Sequence, residues 1–123
     1  MSGRSLFLDT NIVLYLLSGD DEVKDFLDQR PIYLSFITEL ELLRYKVLSE
    51  TEEQKIREFL VSTTILDINS AIKSIATELG RQYKIKLPDL LIASSAYYLN
   101  MPLLTADKQF AQIDELEILY LER

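Results

Sequence analysis

Histidine and cysteine are both missing from this chain of 123 residues. Without histidine there is no Ser-His-Asp or Cys-His catalysis, no imidazole ligand for zinc and no imidazole acid–base chemistry. Without cysteine there is no disulfide, no thiolate nucleophile and no thiolate metal site, which fits a reducing cytoplasm. Any catalysis must therefore come from carboxylates, hydroxyls, lysines, tyrosines or a bound metal. No apolar run approaches the roughly 20 residues that span a bilayer, so no membrane partner is expected. The start, Met1-Ser2-Gly3-Arg4-Ser5, runs straight into a strand-like stretch and is too short for the n- and h-regions of a signal peptide. Basic residues are in deficit as well. A net charge of −7 argues against a general nucleic-acid coat protein, because phosphate binding favours Lys and Arg. It does not exclude a nucleic-acid substrate: two bound divalent cations would offset four of those charges, and a local basic patch can hold a strand. A basic protein partner would also suit this surface.

What is present is an ordinary globular composition, 48% hydrophobic and 27% charged, in a length that suits one domain, residues 1–123. Strand-like and helix-like stretches alternate. Strands are expected at Leu6–Leu8, Ile32–Ser35, Thr63–Ile68, Leu103–Leu104 and Leu116–Leu121. Helices are expected near Asn11–Leu17, Asp21–Gln29, Thr38–Leu48, Glu52–Leu60, Asn69–Tyr83 and Asp89–Leu99. Thr51 and Gln54 form a capping-box pattern, as do Thr38 and Glu41. The run Asp20-Asp21-Glu22 reads as a solvated helix start placed on the helix dipole. Alternation of this kind implies a parallel sheet of four to five short strands in a three-layer α/β/α sandwich. Ligands in such sheets bind beyond the carboxyl ends of the strands.

That rule draws attention to four acids. Asp9 follows the first strand and precedes a helix; it is placed either to cap that helix or to ligate a metal. Glu41 is either the second half of a capping box or a ligand, with Glu39 as the alternative first-turn acid. Asp89 follows Pro88 at a good helix start, yet it enters a mostly apolar helix with no Lys or Arg three or four residues on. A cation from elsewhere, protein or metal, is therefore implied. Asp107 follows a strand with the same spacing as Asp9 and can cap a short helix. Clustered carboxylates repel one another unless a cation sits among them. Oxygen ligands without His or Cys select Mg²⁺ or Mn²⁺, and one or two such ions suit metal-assisted phosphodiester hydrolysis.

Four blocks carry a family resemblance: Phe7-Leu8-Asp9-Thr10-Asn11, Ser35-Phe36-Ile37-Thr38-Glu39-Leu40-Glu41-Leu42, Pro88-Asp89-Leu90-Leu91-Ile92-Ala93-Ser94-Ser95-Ala96 and Leu104-Thr105-Ala106-Asp107-Lys108-Gln109-Phe110. In this order and spacing, over nearly the whole chain, they resemble PIN-domain ribonucleases, especially the VapC-type toxins of toxin–antitoxin pairs. The resemblance implies a PIN-like α/β/α sandwich and a metal-dependent endoribonuclease. It implies Asp9, Glu41, Asp89 and Asp107 as metal-binding catalytic carboxylates, with Asn11 and Thr105 steadying the site. It also implies an RNA substrate, a cognate antitoxin whose basic segment enters the acidic groove, and a homodimer. Lys46 and Asn100 depart from it, standing where many relatives have glycine. Asn tolerates the left-handed backbone region, so Asn100 is harmless. Arg81, Lys84 and Lys86, just before Asp89, are candidates for the RNA backbone, though the same cluster also reads as a solvated helix end. The competing expectations are a catalytically quiet PIN-like binding module and an aspartyl-phosphate protein of the phosphatase or receiver type. The phosphatase pattern wants a second aspartate where this chain has Asn11.

Overall fold

The computed structural model describes residues 3–44 and 49–123. At its centre lie five parallel strands: β1 (Leu6–Leu8), β2 (Ile32–Ser35), β3 (Thr64–Leu66), β4 (Leu103–Thr105) and β5 (Ile118–Tyr120), in the order β3-β2-β1-β4-β5. Connecting them are α1 (Thr10–Leu17), α2 (Asp21–Leu27), α3 (Phe36–Leu43), α4 (Glu50–Val61), α5 (Ser70–Gln82) and α6 (Leu87–Tyr98), with a 3₁₀ helix at Lys108–Gln112. The expected parallel α/β/α architecture is what forms. The strand order differs from the 2-1-3-4-5 order of receiver domains, which removes that alternative. Among the described residues no helix is long and apolar enough to cross a membrane.

The central strand explains the layering. All three residues of β1 are fully buried, as a parallel strand covered on both faces must be. Side chains alternate across a strand. Leu6 and Leu8 therefore enter one core with Ile12, Val13, Val23, Leu42 and Ile56 of α1 to α4. Phe7 enters the other with Leu79, Ile92, Ala93, Ala96 and Phe110, from α5, α6 and the 3₁₀ helix. Truncating Leu8 to alanine at this position would cost about 2–5 kcal/mol. Gly80 lets α5 lie close on α6: a Cβ there would come within 2.9 Å of Leu90 Cδ2.

Two expected helix caps shift. Helix α3 begins at Phe36, capped by Ser35 Oγ, which accepts from Ile37 N–H at 3.1 Å. Thr38 is therefore inside the helix and the Thr38–Glu41 capping box does not form. Helix α4 is capped by Ser49 with Glu52, in a reciprocal box, and not by Thr51 with Gln54; the serine starts the helix one position before its first glutamate. Asn100 does adopt φ of 52° at the tight exit from α6. The helix expected to reach Leu48 ends at Leu43, with Arg44 as its C-cap; Lys46 lies outside the described residues.

Candidate active site

Sheet register brings the ends of β1 and β4 together. Leu8 pairs with Leu104, and the Asp9 N–H donates to the Leu104 carbonyl at 3.1 Å. The chain leaves β1 toward β2 on one side and has β4 on the other, so this is the topological switch point where α/β sheets bind ligands. One residue further on, the Thr105 hydroxyl donates to Asp9 Oδ2 at 2.7 Å and accepts from the Asp107 N–H at 3.0 Å. Asp9 is only 4% exposed and Thr105 is fully buried. Although Asp9 occupies the position before α1, its side chain makes no capping hydrogen bond.

Asp9, Thr10, Asn11, Leu14, Glu41, Asp89 and Asp107 line one cavity of about 190 Å³. All four acids singled out in the sequence thus meet, coming from four different elements, while Glu39 is not part of the lining. Asn11 is exposed at the rim. Glu41 is held by Thr10, whose hydroxyl donates to Oε1 at 2.7 Å and lies 2.8 Å from the buried Thr38 hydroxyl. A hydroxyl has one proton. With Thr10's proton given to the carboxylate, Thr38 must donate to Thr10, which makes a short relay that orients Glu41.

Asp89 and Asp107 are tied through Gln109. Its amide Nε2 donates to Asp107 Oδ2 at 2.6 Å and to Asp89 Oδ2 at 3.0 Å, while its backbone N–H donates to Asp107 Oδ1 at 3.0 Å. Asp107 therefore does cap its short helix, as expected. Asp89's hydrogen-bond partner is this neutral amide, and the protein cation that acts on it is Lys86, whose charge pulls its carboxyl down. Pro88 lies in the first turn of α6, as expected, with the helix opening one residue earlier at Leu87.

The lining holds no Lys or Arg, and the electrostatics follow from that. Burial pushes the Asp9 carboxyl up to about 6, with the negative charges of Asp89 and Asp107 adding to it and the Thr105 hydroxyl opposing it. Asp89 is also raised, by burial first and then by Asp107, with the Gln109 amide pulling the other way. Among the described residues no three acids are already drawn into a closed chelating set; they face one another around the cavity. An all-oxygen donor set, surplus buried negative charge and an amide lodged between two carboxylates fit a hard divalent cation.

The basic cluster divides. Lys84 and Lys86 line a neighbouring groove with Gln109, whereas Arg81, near the end of α5, does not. Three polar residues of the site were not legible as such. Thr10 was hidden beside Asp9, and Thr38 was read as a cap. Gln109 carried only the weak signal of sitting two residues after a capping aspartate.

A family model described as PIN domain matches residues 6–116. Ribonuclease VapC6 of Methanocaldococcus jannaschii is 26% identical over an alignment of 151 residues that covers 97% of this chain and 99% of that protein. Among solved structures, a chain of a toxin–antitoxin complex from Klebsiella pneumoniae superposes with a TM-score of 0.82 at 31% identity, covering 96% of this chain and 99% of that one. A chain of VapBC2 from Rickettsia felis, bound to a DNA fragment from its promoter, gives 0.79 at 27% identity, covering 94% and 98%.

Proposed function

The chain belongs to the PIN-domain family, and from that membership we propose that it is a divalent-metal-dependent endoribonuclease, the toxin of a VapBC-type toxin–antitoxin pair acting in the cytoplasm. The observation that carries the reading is the meeting of Asp9, Glu41, Asp89 and Asp107 around one cavity at the switch point of the sheet. These four would hold one or two Mg²⁺ or Mn²⁺ ions. Bound there, the metal supplies the Lewis acidity that activates water and stabilises charge on the scissile phosphate.

The protein's own part is positioning. Thr105 holds Asp9 in one orientation through the 2.7 Å hydrogen bond. The Thr38–Thr10 relay does the same for Glu41. Gln109 keeps Asp89 and Asp107 together, and Asn11 at the rim offers a polar group to water or substrate. With no imidazole in the chain, proton transfers fall to carboxylates and water. Lys84 and Lys86, with Arg81 further out, contact the RNA backbone. Solved neighbours are complexes with antitoxins, some bound to DNA. For this chain the corresponding partner is a cognate antitoxin whose basic segment reaches the acidic cavity, and the toxin itself pairs as a homodimer.

A panel of structured RNAs incubated with the protein in Mg²⁺, Mn²⁺ or EDTA tests the reading, with Asp9→Asn alongside. Metal-dependent cleavage that falls to the EDTA background in the variant is expected. Undiminished cleavage by folded Asp9→Asn would sink the assignment.

A further inference from the structure

Beside the carboxylate cavity lies a groove of about 480 Å³, lined by Gly80, Tyr83, Lys84, Ile85, Lys86 and Gln109. Gln109 links the two, since its side chain lines the groove and donates to Asp89 and Asp107, which line the cavity. In a chain of net charge −7, the charged part of this lining is purely basic. Neither Lys84 nor Lys86 enters an ion pair among the described residues. Tyr83 is anchored at its hydroxyl, which donates to Glu115 at 2.6 Å, so its ring is held in place at the groove. The volume falls within the roughly 300–1,000 Å³ of small-molecule sites, room for a nucleotide unit. A strand with a phosphodiester at the carboxylates must leave the cavity somewhere, and this is an adjoining exit of opposite charge.

We propose that this groove is a nucleotide subsite: the RNA strand passes from the carboxylate cavity over Gln109 and sets its next phosphate between Lys84 and Lys86. The proposal rests on the ribonuclease reading for the strand's position at the cavity. Lys84 and Lys86 hold the phosphate, and Tyr83 offers its ring to the base. Arg81 contributes little.

The test is the salt dependence of binding of a labelled, mixed-sequence 12-nucleotide RNA to Asp9→Asn protein in Mg²⁺, followed by fluorescence anisotropy. Adding Lys84→Gln and Lys86→Gln removes two phosphate contacts. The slope of log affinity against log salt should become shallower by about 1.4, at roughly 0.7 per contact on a single strand, with affinity near 0.1 M salt falling about 25-fold. Lys24→Gln with Lys55→Gln, which removes the same charge from α2 and α4, should leave the slope unchanged. An unchanged slope in the groove variant overturns the subsite, as does an equal loss in the control. Calorimetric titration of Mn²⁺ into the Lys84→Gln, Lys86→Gln protein with Asp9 intact should match the unmutated chain within about twofold; loss of ion binding would overturn a role confined to the strand. Cleavage by the unmutated protein together with an unchanged slope sinks the subsite alone. A shallower slope with no cleavage in any metal sinks the ribonuclease reading alone and leaves an RNA-binding groove.

Discussion

Asp9 and Asp107 each lie between a central parallel strand and a helix, but not with the equal spacing expected: Asp9 directly follows β1, Ala106 separates Asp107 from β4, and the two behave as opposites. Asp107 caps its 3₁₀ helix through the Gln109 N–H and is further paired with the Gln109 amide. Asp9 caps nothing and is buried, and its close side-chain partner is one neutral hydroxyl. The difference comes from the neighbours. Next to Asp107 the chain offers a free first-turn N–H and a glutamine two residues on. Next to Asp9 lie Thr105 and three other carboxyl groups. A capping aspartate is already stabilised by the folded chain, whereas Asp9 is left carrying charge that the fold penalises. An unpaired buried carboxylate makes sense where a cation is to be bound, so the position with the poorer local satisfaction is the better ligand candidate.

The contrast can be broken most strongly with pH. Asp9 is lifted from its ordinary 3.8 to about 6, so in metal-stripped protein its ionised form opposes folding. Above pH 6 that opposition amounts to about 3 kcal/mol, at roughly 1.4 kcal/mol per unit. It shrinks as pH falls from 6 toward 3.8, and below that it is gone. Denaturant titrations in EDTA should therefore show the unmutated chain gaining on Asp9→Asn by up to about 3 kcal/mol between pH 7 and pH 4. Parallel pH profiles for the two proteins would refute the buried charge.

A smaller effect is expected from Thr105→Val, which keeps the shape but removes both the donor to Asp9 and the acceptor of the Asp107 N–H. Loss of this buried hydroxyl should lower stability by about 1–3 kcal/mol. Because the threonine orients a ligand candidate, Mn²⁺ affinity by calorimetry should drop by about 10-fold. Unaltered affinity would make Thr105 a purely structural link.

Smallest is the effect at the capped acid. Asp107→Ala should cost about 1 kcal/mol in EDTA, the usual value of a lost cap, while Asp107→Asn keeps the cap and gives up only the acceptor for the Gln109 amide, a smaller loss of about 0.5 kcal/mol. Thermal melts of the two variants beside Asp9→Asn, the one substitution expected to stabilise metal-free protein at pH 7, would sharpen the comparison. A large loss in Asp107→Asn would mean that its carboxylate is held by more than the cap and the amide.

Much of the fold is legible in the sequence. The alternation of short apolar strands with helical periodicity implied a parallel sheet, and strand–acid–helix junctions pointed to its carboxyl edge. The helix starts differ from the local pattern where two polar residues compete for one cap: Ser35 against Thr38, and Ser49 against Thr51. Local pattern alone cannot rank such neighbours, because the winner depends on where the preceding strand stops pairing. Thr38 shows the consequence. Read as a cap, it is instead fully buried and bonded to Thr10, a contact across 28 residues that no local rule contains.

The sequence by itself determined the chemistry available: no imidazole, no thiolate, a surplus of acids and an all-oxygen ligand set. It also determined where those acids fall, since strand ends and first helical turns follow from hydrophobic periodicity and capping preference. Only the tertiary structure decided which acids meet and in what electrostatic state. Burial, the pairing of β1 with β4 and the placement of Gln109 between two carboxylates are long-range outcomes of packing. They leave Asp9 buried, with its pKa raised by lost solvation, while Asp107 caps its own short helix.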